Sequence, residues 1–288
     1  MNAFYLIDKE AGSSSFKVIS ALRKILGIRK IGHSGTLDPF ATGLLICATG
    51  QYTRLLQYAE AQDKVYEAEV LLGRKSSTGD PEGEIVEETD PVEGLKIPSC
   101  LKDKVLALTE LPIPSYSAVK IGGKRAYSLA RQGIKVDMPV REVRIWDFEV
   151  LSGIQNKRFV YRAKVSKGTY IRALSEYIAG ELGTVGMTTR LRRTAIADIS
   201  VAEACTVQEL ADDPQTKVID AARILSHLPS IELSQAQTTR FSHGMRLPTE
   251  MSDTANTAVY SEAGLFLGIA KIAAGVISPQ LVIDGDLQ

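Results

Sequence analysis

The chain has 288 residues, 34 Lys plus Arg against 34 Asp plus Glu, and 44% hydrophobic content, which excludes a disordered chain and suits one large domain or one large and one small. Its three cysteines, Cys47, Cys100 and Cys205, are odd in number and far apart, fitting neither a disulfide framework nor a zinc site. "MNAFYLIDKE" has no basic region before an apolar run, and no apolar stretch approaches the roughly 20 residues of a membrane helix, so a soluble cytoplasmic protein is expected.

In chain order, Phe4 to Ile7 reads as a short strand. Ser14 or Ser15 can cap a helix whose apolar residues Val18, Ile19, Leu22, Ile25 and Leu26 recur at helical spacing and whose stop is Gly27. In "KIGHSGTLDPFATGLL" Asp38 precedes Pro39, the pattern of an N-cap followed by proline at the first helical position. Gly32, Gly35 and Gly43 crowd that turn, which suggests close backbone approach, and a rigid, partly exposed turn is also what a nucleophilic or acid/base carboxylate needs.

"KVYEAEVLLG" alternates as a strand, with Tyr66, Ala68, Val70 and Leu72 on one face; "STGDPEGEIVEE" is a turn-rich acidic loop. "RFVYRAKVS" alternates again, Phe159, Tyr161, Ala163 and Val165 inward. "TYIRALSEYIAGELG" is an amphipathic helix with Ile171, Leu174, Ile178 and Leu182 on one face and Gly183 as its stop. Arg172 falls in its first turn, where the macrodipole disfavours a cation by about 0.3–1 kcal/mol. A fixed anionic partner, Asp38 or a phosphate, would account for that placement. A helix is expected from about Thr206 to Leu225. From Pro229 the pattern turns to short strands, read as a β-rich module of about 60 residues. Without a strict βαβ rhythm, the fold class is α+β: a mixed, largely antiparallel sheet flanked by helices, followed by the small β-rich module.

The zero net charge hides segregation. Ser115 to Thr194 holds 16 basic against 6 acidic residues, and Gly79 to Leu111 holds 9 acidic against 3 basic. These blocks are either solvated faces or a basic surface for a polyanion with the acidic segment turned elsewhere. There is no G-x-G-x-x-G after a strand and no P-loop. His33, His227 and His243 show no metal-ligand spacing. Any catalysis is left to carboxylates, tyrosines and arginines, with no metal and no cofactor.

Three stretches, "GHSGTLDPFATGLL", "PIPSYSAVKIGGKRAYSLARQG" and "VSKGTYIRALSEYIAGELG...LRRT", resemble the motifs of the TruB-type tRNA pseudouridine synthases, in that family's order. The likeness extends from "LIDKEAGSSS" to about Ile199 and more weakly to the end. It implies isomerisation of uridine 55 in the tRNA T-loop to pseudouridine, with Asp38 as the catalytic aspartate, acting as nucleophile or base at the ribose. It further implies a catalytic Tyr66 that stacks on the target base and is a candidate for proton transfer, a catalytic Arg172 pairing with Asp38, and His33 displacing the nucleotide. Lys9, Tyr116, Lys120, Lys167 and Leu191 complete the expected RNA contacts. The implied organisation is a pseudouridine synthase domain over 1–228, with an RNA-closing loop at 115–137, and a PUA-like RNA-binding domain over 229–288. The implied partner is the T-stem-loop of tRNA, for a monomer with no obligate protein partner. Departures are Glu10 where the family has proline, and "LGTVGMTTRLRR" without its usual alanine and histidine. A guide-RNA-directed synthase and an RNA-folding chaperone are the competing readings.

Overall fold

A computed structural model describes residues 1–90, 94–117, 119–134, 136–214 and 217–283. Ala118 and Lys135 of the expected closing loop, and 284–288 of the expected C-terminal unit, lie outside the described residues.

The chain opens with β1 (Phe4–Lys9), almost wholly buried. Helix α1 (Ser15–Leu26) follows, its N-terminus capped by the Ser14 side chain accepting from the Lys17 amide. It ends at Gly27, whose left-handed backbone suits a residue without Cβ. The short β2 (Ile31–His33) and β3 (Thr42–Thr49) flank the Asp38 turn. Helix α2 (Leu56–Glu60) leads to β4 (Lys64–Leu72), and β5 (Arg74–Ser76) pairs with β6 (Ile85–Glu88) in a hairpin.

After α3 (Leu101–Leu106), β7 (Glu110–Pro112) pairs with β10 (Val140–Glu142). The chain between them folds as a small hairpin, β8 (Lys120–Ile121) with β9 (Lys124–Arg125), and α4 (Ala126–Arg131). Then come β11 (Ile145–Gln155), β12 (Arg158–Val165), α5 (Ile171–Glu181), β13 (Gly186–Ile196) and β14 (Ile199–Ser200).

Among the described residues, nine strands form one sheet in the order β11-β12-β4-β13-β3-β1-β15, the last being Val218–Ile219, with β14 beside β13 and β2 beside β3. Its pairings are antiparallel except one, the parallel seam between β13 and β3 at Arg192–Thr42 and Arg193–Gly43. Gly43 makes that seam possible: its φ is +107°, and a Cβ there would lie 2.2 Å from the Arg193 carbonyl oxygen. One face of the sheet packs on α3 and α5 through Val70, Phe148, Phe159, Leu174 and Ile178.

Between Thr206 and Leu225 the expected single helix is broken. Helix α6 (Val207–Asp212) stops before Pro214, where the ring removes a donor and disfavours helical backbone at Asp213. The chain then forms β15 (Val218–Ile219), paired to β1, and α7 (Ala221–Ile224). Asp38 caps no helix: Pro39 and Phe40 make a turn, the Ala41 amide donates to the Asp38 carbonyl at 3.1 Å, and β3 begins at once.

The C-terminal part comprises β16 (Ser230–Leu233), α8 (Gln235–Ser242), β17 (Leu247–Pro248), β18 (Thr254–Ser261), β19 (Phe266–Ala273) and β20 (Val276–Val282). Its five strands run in the order β16-β18-β19-β20-β17. It has a core of its own around Leu233, Phe241, Val259 and Ile277. It also shares one with the large sheet, where Phe266 packs edge-on against Tyr52 and Tyr52 against Phe4.

Candidate active site

The Asp38 turn is held from below by the N-terminal segment. Ser15 accepts from the Leu37 amide at 2.9 Å and donates to the Leu37 carbonyl at 3.2 Å. The Gly12 amide donates to the Pro39 carbonyl at 2.8 Å. The Lys9 ammonium reaches that same oxygen at 3.3 Å and also bonds the Glu10 and Ser13 carbonyls. A carboxylate on such a turn is oriented by backbone geometry before any substrate arrives.

Helix α5 brings Arg172 onto it. The guanidinium is 4% exposed, whereas the Asp38 side chain keeps 33% of its surface, so the carboxylate is reachable and its partner is not. Arg172 Nε lies 3.0 Å from Asp38 Oδ2 and Nη2 3.4 Å from Oδ1, a two-point grip. The remaining donors are used as well: Nη1 donates to the Thr78 carbonyl at 2.6 Å and faces Asp80 Oδ2 at 3.3 Å, and Nη2 donates to the Tyr116 carbonyl at 3.1 Å. The cost of an arginine in a helical first turn is thus offset by two carboxylates.

Asp80 was not among the expected site residues. It stands in the acidic turn between β5 and β6, and it is 2% exposed. The acidic segment is therefore not turned wholly away. Its tip docks on α5 because Gly79 carries no side chain; a Cβ there would meet Glu176 Oε1 at 2.8 Å and Arg172 Cβ at 3.4 Å. The sequence does hold a signal, since Asp80-Pro81 repeats the Asp38-Pro39 dipeptide in a glycine-flanked turn. Arg193 was also missed. Buried at 1% exposure, it donates to the Leu44 carbonyl at 2.7 Å and the Gly35 carbonyl at 3.3 Å, tying the loop before Asp38 to the sheet.

Burial pushes the Asp38 carboxyl above its ordinary value; Arg172 pulls it back, Asp80 adds to the rise and Lys9 opposes it. Burial also lowers Lys9 to about 8, with Asp38 acting in the opposite sense. His33 is lowered by burial and by Arg193, and its Nδ1 accepts from the Gly35 amide at 3.3 Å.

The structure brings Asp38, Arg172 and the backbone of Tyr116 into contact. Tyr66, half-buried on β4, packs on the core cluster that takes in Leu37 and Ala41 on either side of the turn. Lys120, on β8, and Lys167, in the turn before α5, are exposed. Two of the expected RNA contacts are buried. Lys9 is 1% exposed with its ammonium held by three carbonyls, so it braces the turn. Leu191 is 7% exposed and belongs to the sheet core. Among the described residues no three His, Cys, Asp or Glu side chains gather as a metal site would need.

Comparison with known proteins places this arrangement. Two solved structures, an H/ACA RNP bound to a substrate RNA containing 2'-deoxyuridine and a Cbf5-Nop10-Gar1 complex, hold chains similar to this one. The first has a TM-score of 0.70 at 20% identity and the second 0.70 at 21%, each covering 97% of this chain and 84% of the other. At that identity the likeness defines the fold alone, that of the pseudouridine synthases. Residues 23–171 match the N-terminal domain of the TruB family of pseudouridylate synthases, and 229–283 match the C-terminal domain of pseudouridine synthase II TruB. Relatives named tRNA pseudouridine synthase B include one from Mycoplasmopsis pulmonis, 36% identical over 99% of this chain and 96% of its own. Others come from Streptococcus pneumoniae (38% over 88% and 90%) and Trichormus variabilis (33% over 99% and 99%). The chain belongs to the TruB family.

Proposed function

We propose that this protein converts uridine 55 in the T-loop of tRNA to pseudouridine, with Asp38 as the reacting carboxylate. The observation that carries the reading is the half-exposed Asp38 carboxylate gripped by a buried arginine. Asp38 acts on the ribose of the flipped nucleotide, as nucleophile at C1′ or as the base that removes a ribose proton. The N1–C1′ bond breaks, the uracil turns, and C5 bonds to C1′ as the Asp38–C1′ bond breaks or the ribose proton returns; the C5 proton leaves and N1 takes one up, so the reaction is a redox-neutral isomerisation. Both routes need the ionised carboxylate, and Arg172 favours that form. Tyr66 stacks on the extruded base.

Extruding a stacked base costs a few kcal/mol, which phosphate contacts from exposed cations such as Lys120 and Lys167 offset. His33 takes part in displacing the nucleotide. The segment 115–137 closes over the RNA; its contact with the site through the Tyr116 carbonyl supports this. A catalytic domain over 1–228, an RNA-binding PUA-like domain over 229–288, a monomer without obligate protein partner and a cytoplasmic location complete the proposal. No helix among the described residues is long and apolar enough to cross a membrane.

The test is pseudouridine formation in an unmodified tRNA transcript by the purified protein, beside Asp38→Asn. Conversion at uridine 55 by the wild type alone is the expected result. Equal conversion by both would remove Asp38 from the chemistry, and none by either, with tight tRNA binding, would favour a chaperone.

A further inference from the structure

A second feature lies on the other side of the Asp38 loop. The C-terminal end of α1, strand β2 and the segment 50–60 enclose an open cleft of about 680 Å³. Arg23, Arg29, Lys30 and Arg54 line it together with His33, against a single carboxylate, Glu60. Among the described residues, none of those four cations forms an ion pair. Other arginines at the surface do have carboxylate partners, as in Arg192–Asp8 at 2.6 Å and Arg158–Glu69 at 2.7 Å. Like charges gathered without counter-charge repel, and they raise the local potential for an anion.

The cleft is preformed. Arg23 Nε donates to the Arg29 carbonyl at 3.0 Å, and the Gly50 amide to the Lys30 carbonyl at 2.9 Å, so the 27–30 loop is fixed at both sides. Gly32 keeps the base of the cleft low, since a Cβ there would touch Leu56 Cδ1 at 3.0 Å. Along α1 the Phe16 ring is 67% exposed with the Arg23 guanidinium 5.9 Å from its centre, an aromatic face beside a cation. Four cations around an open cleft suit a polyanion. His33, which lines the cleft, stands five residues before Asp38 in the chain.

We infer that this cleft grips the phosphodiester backbone of the substrate RNA beyond the reacting nucleotide. The inference rests on the proposed function for the identity of the RNA. The test replaces Arg29, Lys30 and Arg54 by glutamine together and leaves Arg23, whose bond to the loop is structural. The expected result is a tRNA affinity whose logarithm falls less steeply with log salt, the slope smaller by about 2–3. KM should rise about tenfold or more at moderate salt while kcat at saturating tRNA stays unchanged. Glu60→Gln, which removes the only carboxylate, should tighten binding. An unaltered slope and KM in a triple variant with native circular dichroism would overturn the inference. If the triple variant does not fold, Glu60→Gln decides: tighter binding supports the cleft and unchanged binding sinks it. A wild type that binds tRNA but converts no uridine would refute the proposed function, while the salt slopes would still judge the cleft.

Discussion

Arg172 and Arg29 carry the same side chain on either side of one loop system, and the protein handles them in opposite ways. The first is 4% exposed, with two carboxylates and two backbone carbonyls around its guanidinium. The second is exposed, with no carboxylate partner among the described residues. Charges of the first kind fix geometry. Taken out of water, each is stable only with its partners, so loss of one strands the others. Charges of the second kind are held ready for an outside polyanion, and their removal leaves the fold as it was.

The largest expected break in this comparison is Asp38→Asn, which should lower the single-turnover rate by about 10³-fold or more, the scale on which loss of a nucleophile or base acts, with tRNA affinity retained. Arg172→Lys comes next. A point charge cannot reproduce a two-point grip, so a fall of about 10²-fold in kcat is expected with a modest change in binding. Arg172→Met leaves the buried Asp80 and the partly exposed Asp38 without their shared cation and should cost about 3 kcal/mol in urea unfolding.

Asp80→Asn separates the electrostatic role from the steric one. Because burial and Asp80 both raise the Asp38 carboxyl above its ordinary 3.8, activity should be lost as pH falls through a value higher than that of an exposed aspartate. Removing the Asp80 charge should move this acid limb to lower pH, and an unmoved limb would exclude the coupling. The smallest effect belongs to the cleft: glutamine at Arg29, Lys30 and Arg54 should leave unfolding stability within about 0.5 kcal/mol.

Where each face of an element had one character, its form was legible in the sequence. β4 and β12 alternate cleanly, and α1 and α5 carry apolar stripes bounded by a serine or a glycine. Legibility failed where burial and polarity part company. β13 hides Arg193 among core positions and carries two bulges, so no alternation survives to mark it as the strand that joins the sheet. The 206–225 stretch is apolar at helical spacing, yet Pro214 breaks it and pairing with β1 captures Val218 and Ile219. Asp80 was hidden by its company, since a carboxylate in a run of acidic residues looks solvated. The Asp-Pro signal would not have rescued it alone, for the same dipeptide at 213–214 only ends a helix. Asp38 and Arg172 were found because their placements were locally odd, and the contact between them spans 134 residues.

The parallel seam has a consequence for how the chain is made. β13 lies between β4 and β3, so while the ribosome has yet to deliver 186–196 the sheet exists at most as two parts, each with a bare strand edge. Such edges are where unfinished chains stick to one another. The same late strand supplies Arg193, which anchors the loop ahead of Asp38, and Arg172 arrives only just before it. A nascent chain that stops short of Arg172 therefore carries the reactive carboxylate without its grip, and the closure that joins the two parts of the sheet follows directly on the helix that arms the enzyme.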